Sequence, residues 1–292
     1  MKTLRPRTVA NLKGIATILL WSFSALFISF TQEIPPFLLA CLTSACGFAL
    51  FGLRWTRDRQ RFLLAVQQPP HIWVLFAVAV IAYRGFYLSG LKMAPTLEAN
   101  LINYLWPLLI VLLGALLDWR QLPPRVWCGA GAGLLGVYLL TSGNRTAETG
   151  WQLGAGHIFA LLGAISWAAY SVATRRFKIA SSDLIGVMHF LAVVTFFSLH
   201  LIFEVPVQWE RVDLLHWVAI AELGLAISLG YSWWDDAMSK GNQEQIAIGA
   251  NFIPLLSTVW LVLFGHQQLT AQLFAAAGLI IGGSYVAKKS TL

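Results

Sequence analysis

Charge is what this chain has least of. Asp, Glu, Lys and Arg make up 11% of 292 residues, against 58% that are hydrophobic, and the mean hydropathy is +0.68. A soluble domain carries roughly 25% charged residues. One aqueous core cannot enclose so much apolar surface, so the composition implies an integral membrane protein. Acidic groups are the rarer sign, 13 beside 20 Lys+Arg, for a net charge of +7. No basic helix and no aromatic–basic strand pattern accompanies that excess, so no nucleic-acid partner is expected.

Cysteine is almost missing. Cys41, Cys46 and Cys128 are scattered through apolar stretches without zinc spacing. The six histidines form no His-x3-His or His-Glu-x-x-His pair, and His157, His189 and His200 read as hydrogen-bonded interior imidazoles. A G-x-S-x-G elbow, a P-loop and a dinucleotide fingerprint are also lacking. An enzyme is therefore not expected, nor a metal or cofactor, and any transport is secondary or passive.

What the chain has is long apolar runs. A membrane span needs about 20 such residues. Ten stretches qualify, roughly 12–31, 35–53, 72–91, 95–117, 123–141, 154–173, 184–203, 214–235, 244–264 and 270–287. Lys2, Arg5, Arg7 and Lys13 precede the first, but its run is too long for a signal peptide and no small-residue cleavage site follows. It reads as an uncleaved span. With the N-terminus inside, 16 of the 20 Lys+Arg fall on the inner side, leaving Lys92, Arg145 and Arg211 outside and Arg84 within a span. The positive-inside rule then puts both termini in the cytoplasm, which requires an even number of spans.

A repeat runs through this layout. A shift of 147 residues aligns Pro107 with Pro254, Leu108-Leu109 with Leu255-Leu256, Gly136 with Gly283 and Tyr138 with Tyr285. The chain divides into halves 1–146 and 147–292 of five spans each. Five is odd, so the second half is expected to enter the membrane upside down. Inverted repeats hold their substrate between them near the midplane. Gly129-x3-Gly133 and Gly278-x3-Gly282 are small-x3-small faces, expected to pack closely within a monomer or across a homodimer seam.

The centre of this organisation is Asn103-Tyr104-Leu105-Trp106-Pro107. Pro107 cannot donate to the carbonyl of Asn103, so a kink is expected there. A freed carbonyl in lipid persists only where protein or water satisfies it, which marks a cavity wall. Tyr83 and Tyr87, four apart, share one helix face. With Trp106 and Trp167 they offer ring faces for stacking and cation–π contact. Asn100, Asn103 and Asn251 can pair with backbone or ligand. Arg84 lies within snorkelling reach of the surface and reads as an interfacial anchor. Glu222, about a third of the way through the eighth span, is the candidate for a coupling proton or cation. Asp235-Asp236 reads as a solvated helix end.

The ten-span layout, the Asn103–Pro107 stretch, Trp167-Ala168-Ala169-Tyr170, and Gly241-Asn242 followed by Pro254 resemble the EamA-type transporters of the drug/metabolite transporter superfamily. The resemblance covers essentially the whole chain. It implies an all-α, basket-like bundle of ten transmembrane helices in the bacterial inner membrane, in contact with lipids. Spans five and ten would lie outside a central cavity. It further implies alternating-access export of aromatic amino acids or similar small neutral metabolites. Asn103, Tyr104, Trp106, Pro107 and Trp167 are the site residues carried over from matching motifs. The expected mode has the substrate ring among Tyr83, Trp106 and Trp167. Its ammonium meets the freed Asn103 carbonyl, and its carboxylate meets Asn103 or Asn251. Rocking about Pro107 and Pro254 opens the outside. The alternative is an organic-cation exporter that uses the same rings and exchanges a proton at Glu222.

Overall fold

Proline begins many of the helices, because its fixed φ suits the first turn and its missing N–H is one that a helix start leaves unpaired anyway. The computed structural model describes residues 6–117, 124–142, 154–177, 183–241, 246, 249–250, 252–265 and 270–288. Among these residues all regular structure is helical. In chain order the α-helices are α1 (Pro6–Ser29), α2 (Pro36–Arg57), α3 (Arg59–Val66), α4 (Pro70–Ala77), α5 (Tyr83–Met93), α6 (Thr96–Asn103) and α7 (Trp106–Leu117). Then come α8 (Pro124–Ser142), α9 (Ala155–Phe177), α10 (Asp183–Phe203), α11 (Leu214–Lys240), α12 (Ile253–Leu263) and α13 (Ala271–Lys288). A π-helical turn, Val78–Ala82, joins α4 to α5. Segments Arg7–Ser29, Pro36–Arg57, Asp183–Phe203 and Leu214–Trp234 are long and apolar enough to cross a membrane.

Two compact units result, and neither follows the sequence halves. Unit 1 comprises Met1–Pro70 and Ala180–Leu263; unit 2 comprises His71–Ile179 and Phe264–Leu292.

In unit 1, α1 packs on α11 and α12, and α2 on α10 and α11. The α1–α11 seam carries an ion pair between Lys13 and Asp236, and Trp21 Nε1 donates to the carbonyl of Ala226 at 2.9 Å. On the α12 side, Trp260 stacks on Phe23 with centroids 4.4 Å apart and donates to Ser22 Oγ at 3.0 Å. The start of α2 is capped from a distance. Glu204 accepts from the N–H groups of Phe37 and Leu38 at 2.7 and 3.1 Å, and its oxygen also meets His200 Nδ1 at 2.8 Å. A carboxylate suits that position because a helix N-terminus exposes unpaired N–H groups and partial positive charge.

In unit 2, α5 lies along α9, and α8 along α13. The α8–α13 seam corrects the expected glycine face. A Cβ on Gly283 would fall 2.5 Å from the Gly129 carbonyl oxygen, and one on Gly136 2.9 Å from that of Ala276. Gly278 and Gly282 face open space instead. The α13 contact stripe therefore runs through Ala276, Ile280 and Gly283, a spacing of four and three that follows one helix face.

The expected kink also moves. The helix breaks at Tyr104-Leu105, ahead of Pro107, and Pro107 becomes the second residue of α7. Pro254 is likewise the second residue of α12, after a turn in which the Phe252 N–H donates to the Gly249 carbonyl. Proline is better tolerated just inside a new helix than in the middle of an old one, so both breaks settle before the ring rather than at it.

Candidate functional site

The ring cluster belongs to unit 2 and begins with the π-turn. A π-turn inserts an extra residue into the helical winding and resets the direction of every side chain after it. Tyr83 is the first residue beyond it. The rings of Tyr83 and Tyr87 stack with centroids 5.6 Å apart and planes 6° from parallel. Trp167, from α9, sits 5.0 Å from Tyr83, and Tyr170 extends the row at 5.4 Å from Trp167. Each such pair is worth about 0.5–1.5 kcal/mol beyond buried area.

Glycine lets these helices come so close. A Cβ on Gly90 would lie 2.8 Å from the backbone N of Ala160, and one on Gly156 2.5 Å from the backbone carbon of Met93. At Gly163 it would lie 3.2 Å from Asn103 Oδ1. The missing side chain at 163 thus leaves the space in which the Asn103 amide approaches α9.

Two asparagines three apart on α6 supply the polar side. Asn100 and Asn103 are 2% and 3% exposed. The Tyr87 hydroxyl donates to Asn100 Oδ1 at 2.8 Å, and Asn103 stands beside the Tyr83 hydroxyl. Asn100 Nδ2 and Asn103 Oδ1 remain buried with no hydrogen-bond partner among the described residues. Orphans of this kind cost about 1–3 kcal/mol each, so they are retained where a ligand or water completes them. One is a donor, the other an acceptor.

The mouth of α6 is pinned by an imidazole. The Gly154 N–H donates to His157 Nδ1 at 3.2 Å, so the proton of the neutral ring is on Nε2, which faces Glu98 Oε2 at 3.0 Å. This matches the sequence reading of His157 as a hydrogen-bonded interior imidazole.

Tyr83, Tyr87, Asn103 and Trp167 are thus brought together. Tyr104 occupies the break, with its hydroxyl in electrostatic reach of those of Tyr87 and Tyr83. Trp106 starts α7, half-buried, and is not part of the Tyr83–Tyr170 ring row. Glu222 and Pro254 belong to unit 1. Asn251 lies outside the described residues.

Arg84 is 4% exposed, enclosed by neighbouring protein, and the residues one and two turns on, Leu88 and Leu91, are buried too. Asn100 is the site residue whose role sequence reasoning missed. Its cost inside a span was visible; its bond to Tyr87 depends on how α5 and α6 meet.

Rings and unfinished amides gathered among apolar helices make a site that can hold a small aromatic solute. The chain belongs to the EamA-like transporter family, whose pattern it matches twice, over residues 8–142 and 154–288. It is 36% identical over 284 residues to the aromatic amino acid exporter YddG of Ancylobacter novellus, covering 96% of this chain and 97% of that one. The Escherichia coli protein of the same name is 25% identical over 292 residues, covering 95% and 96%. A crystal structure at 35% identity superposes with a TM-score of 0.71 over 97% of both chains. The protein is a multi-pass membrane transporter.

Proposed function

We propose that this chain exports aromatic amino acids, or neutral metabolites of similar shape, across the bacterial inner membrane. It does so by alternating access of two inverted five-span halves, 1–146 and 147–292. The observation that carries the substrate class is the row of Tyr83, Tyr87 and Trp167 beside one free amide donor and one free amide acceptor. A zwitterion with an aromatic side chain needs such a set. Its ring stacks on the row, its carboxylate takes the Asn100 Nδ2 donor, and its ammonium takes Asn103 Oδ1. The relatives, both named aromatic amino acid exporters, support the same class.

The breaks before Pro107 and Pro254 serve as pivots. The first separates α6 from α7, two pieces that can change angle without losing a full ladder of hydrogen bonds. Tyr104 and Trp106 flank the first pivot and gate the ring row as it turns.

Purified protein in liposomes is expected to exchange labelled phenylalanine in counterflow. Trp167→Ala is expected to raise the half-saturating concentration by about tenfold, the equivalent of ~1.4 kcal/mol. A parental half-saturation in that variant would remove Trp167 from the site. Methyl viologen in the same assay tests the organic-cation reading, which predicts that it outcompetes phenylalanine.

A further inference from the structure

We propose that Glu222 is a proton-binding site through which export is coupled to inward proton movement. This rests on the transport reading above. α1 and α11 run antiparallel, and three contacts step along their seam. Lys13 meets Asp236, Thr17 Oγ1 donates to the Gly230 carbonyl at 3.3 Å, and Trp21 Nε1 donates to that of Ala226 at 2.9 Å. Each step advances four residues on α1 and returns four to six on α11. One more turn in that register sets Glu222 opposite Ala25, which is 2% exposed.

Both oxygens of Glu222 are buried there, without a hydrogen-bond partner among the described residues. Nor does the sequence of the packed helices supply a counter-charge at that level. No residue from Gly14 to Gln32 on the α1 side is charged, and none from Pro36 to Leu53 on α2, where Cys41 and Cys46 are the titratable groups. Arg54 and Arg57 come only at the end of α2. On α11 itself, Asp213 and His216 stand at one end with Glu33, and Asp235, Asp236 and Lys240 at the other. From further out, His189 of α10 packs against Gly47 of α2 beside Ser228.

An ionised carboxylate in that position has no counter-charge among the described residues to balance it. Such a group binds a proton instead of staying charged, and ionisable side chains buried in spans mark proton and ion paths for this reason. The lysine, hydroxyl and indole contacts hold α11 against α1 on the inner side of Glu222. A conformation that parts this seam lets water reach the carboxyl and take its proton to the cytoplasm. The opposite conformation reloads it from outside. For each substrate carried outward, a proton travels inward, and no other reactant is needed.

Two fluxes of labelled phenylalanine in proteoliposomes test this: counterflow at equal pH, and accumulation driven by an imposed gradient. A gradient of about one pH unit is expected to raise accumulation by up to about tenfold in the parent. In Glu222→Gln the ratio of accumulation with the gradient to accumulation without it is expected to fall to one while counterflow persists, and Glu222→Asp to restore part of it. A trapped pH-sensitive dye gives a readout independent of any variant, since protons are expected to move opposite to phenylalanine in the parent. An unchanged ratio in Glu222→Gln, or no proton movement in the parent, overturns the proposal while phenylalanine counterflow stands. Absence of parental counterflow overturns the transport reading instead.

Discussion

Asn100 and Asn103 each carry a donor and an acceptor on one short side chain, and the fold uses half of this capacity. Tyr87 takes the Asn100 oxygen and leaves its nitrogen. The same logic of shared partners governs Asp213, the N-cap of α11. Its carboxylate accepts from the N–H groups of Leu215 and His216 at 2.9 and 3.2 Å and meets His216 Nδ1 at 2.7 Å. The His216 side-chain hydrogen bond first, then its backbone N–H, hold the Asp213 carboxyl below its usual value of 3.8. A depressed carboxyl stabilises the fold at every pH above the unfolded value and loses that contribution as pH falls through the folded one. Asp213→Ala is therefore expected to lower the melting temperature in detergent at neutral pH. The gap from the parent should close only below the ordinary carboxylate range. A gap independent of pH would mean that the charge plays no part in the cap.

Elements in this protein are placed by what they lack. Gly90, Gly156 and Gly163 bring α5 and α6 against α9, and Gly283 brings α13 against α8. Adding a side chain at a contact glycine forces backbones apart, at about 1–3 kcal/mol, whereas a surface change stays within about ±0.5 kcal/mol. Two substitutions on one helix separate these cases. Gly283→Leu is expected to destabilise by the larger amount and Gly278→Leu to be near neutral, read as detergent unfolding midpoints. The reverse order would restore the Gly278-x3-Gly282 face that spacing alone suggests. The π-turn before Tyr83 and the break before Pro107 belong to this scale as well. Both redirect the side chains that follow, so the face shared by Tyr83 and Tyr87 points where a regular helix would not have sent it.

For the whole molecule, the asymmetry of Lys and Arg predicts orientation. Green fluorescent protein fused to either end is expected to fluoresce in cells, and alkaline phosphatase fused to either end to stay inactive. Opposite results at the two ends would require an odd number of crossings and would dismantle the inverted five-span halves. The compact units cut across those halves, since α1–α3 join α10–α12 in one, and α4–α9 join α13 in the other. The two stretches that match the family pattern, 8–142 and 154–288, therefore each contribute helices to both units.

Hydropathy alone pointed to a helical membrane protein, because lipid demands internally bonded helices, and the family match makes it a transporter. The stacking of Tyr83 with Tyr87 was legible too, since four residues return to one face. Where Arg84 goes, which glycines touch and which amide atoms of Asn100 and Asn103 stay open were decided only by packing. Those outcomes depend on the rotation and separation of neighbouring helices, and rotation is set by contacts between residues far apart in the chain.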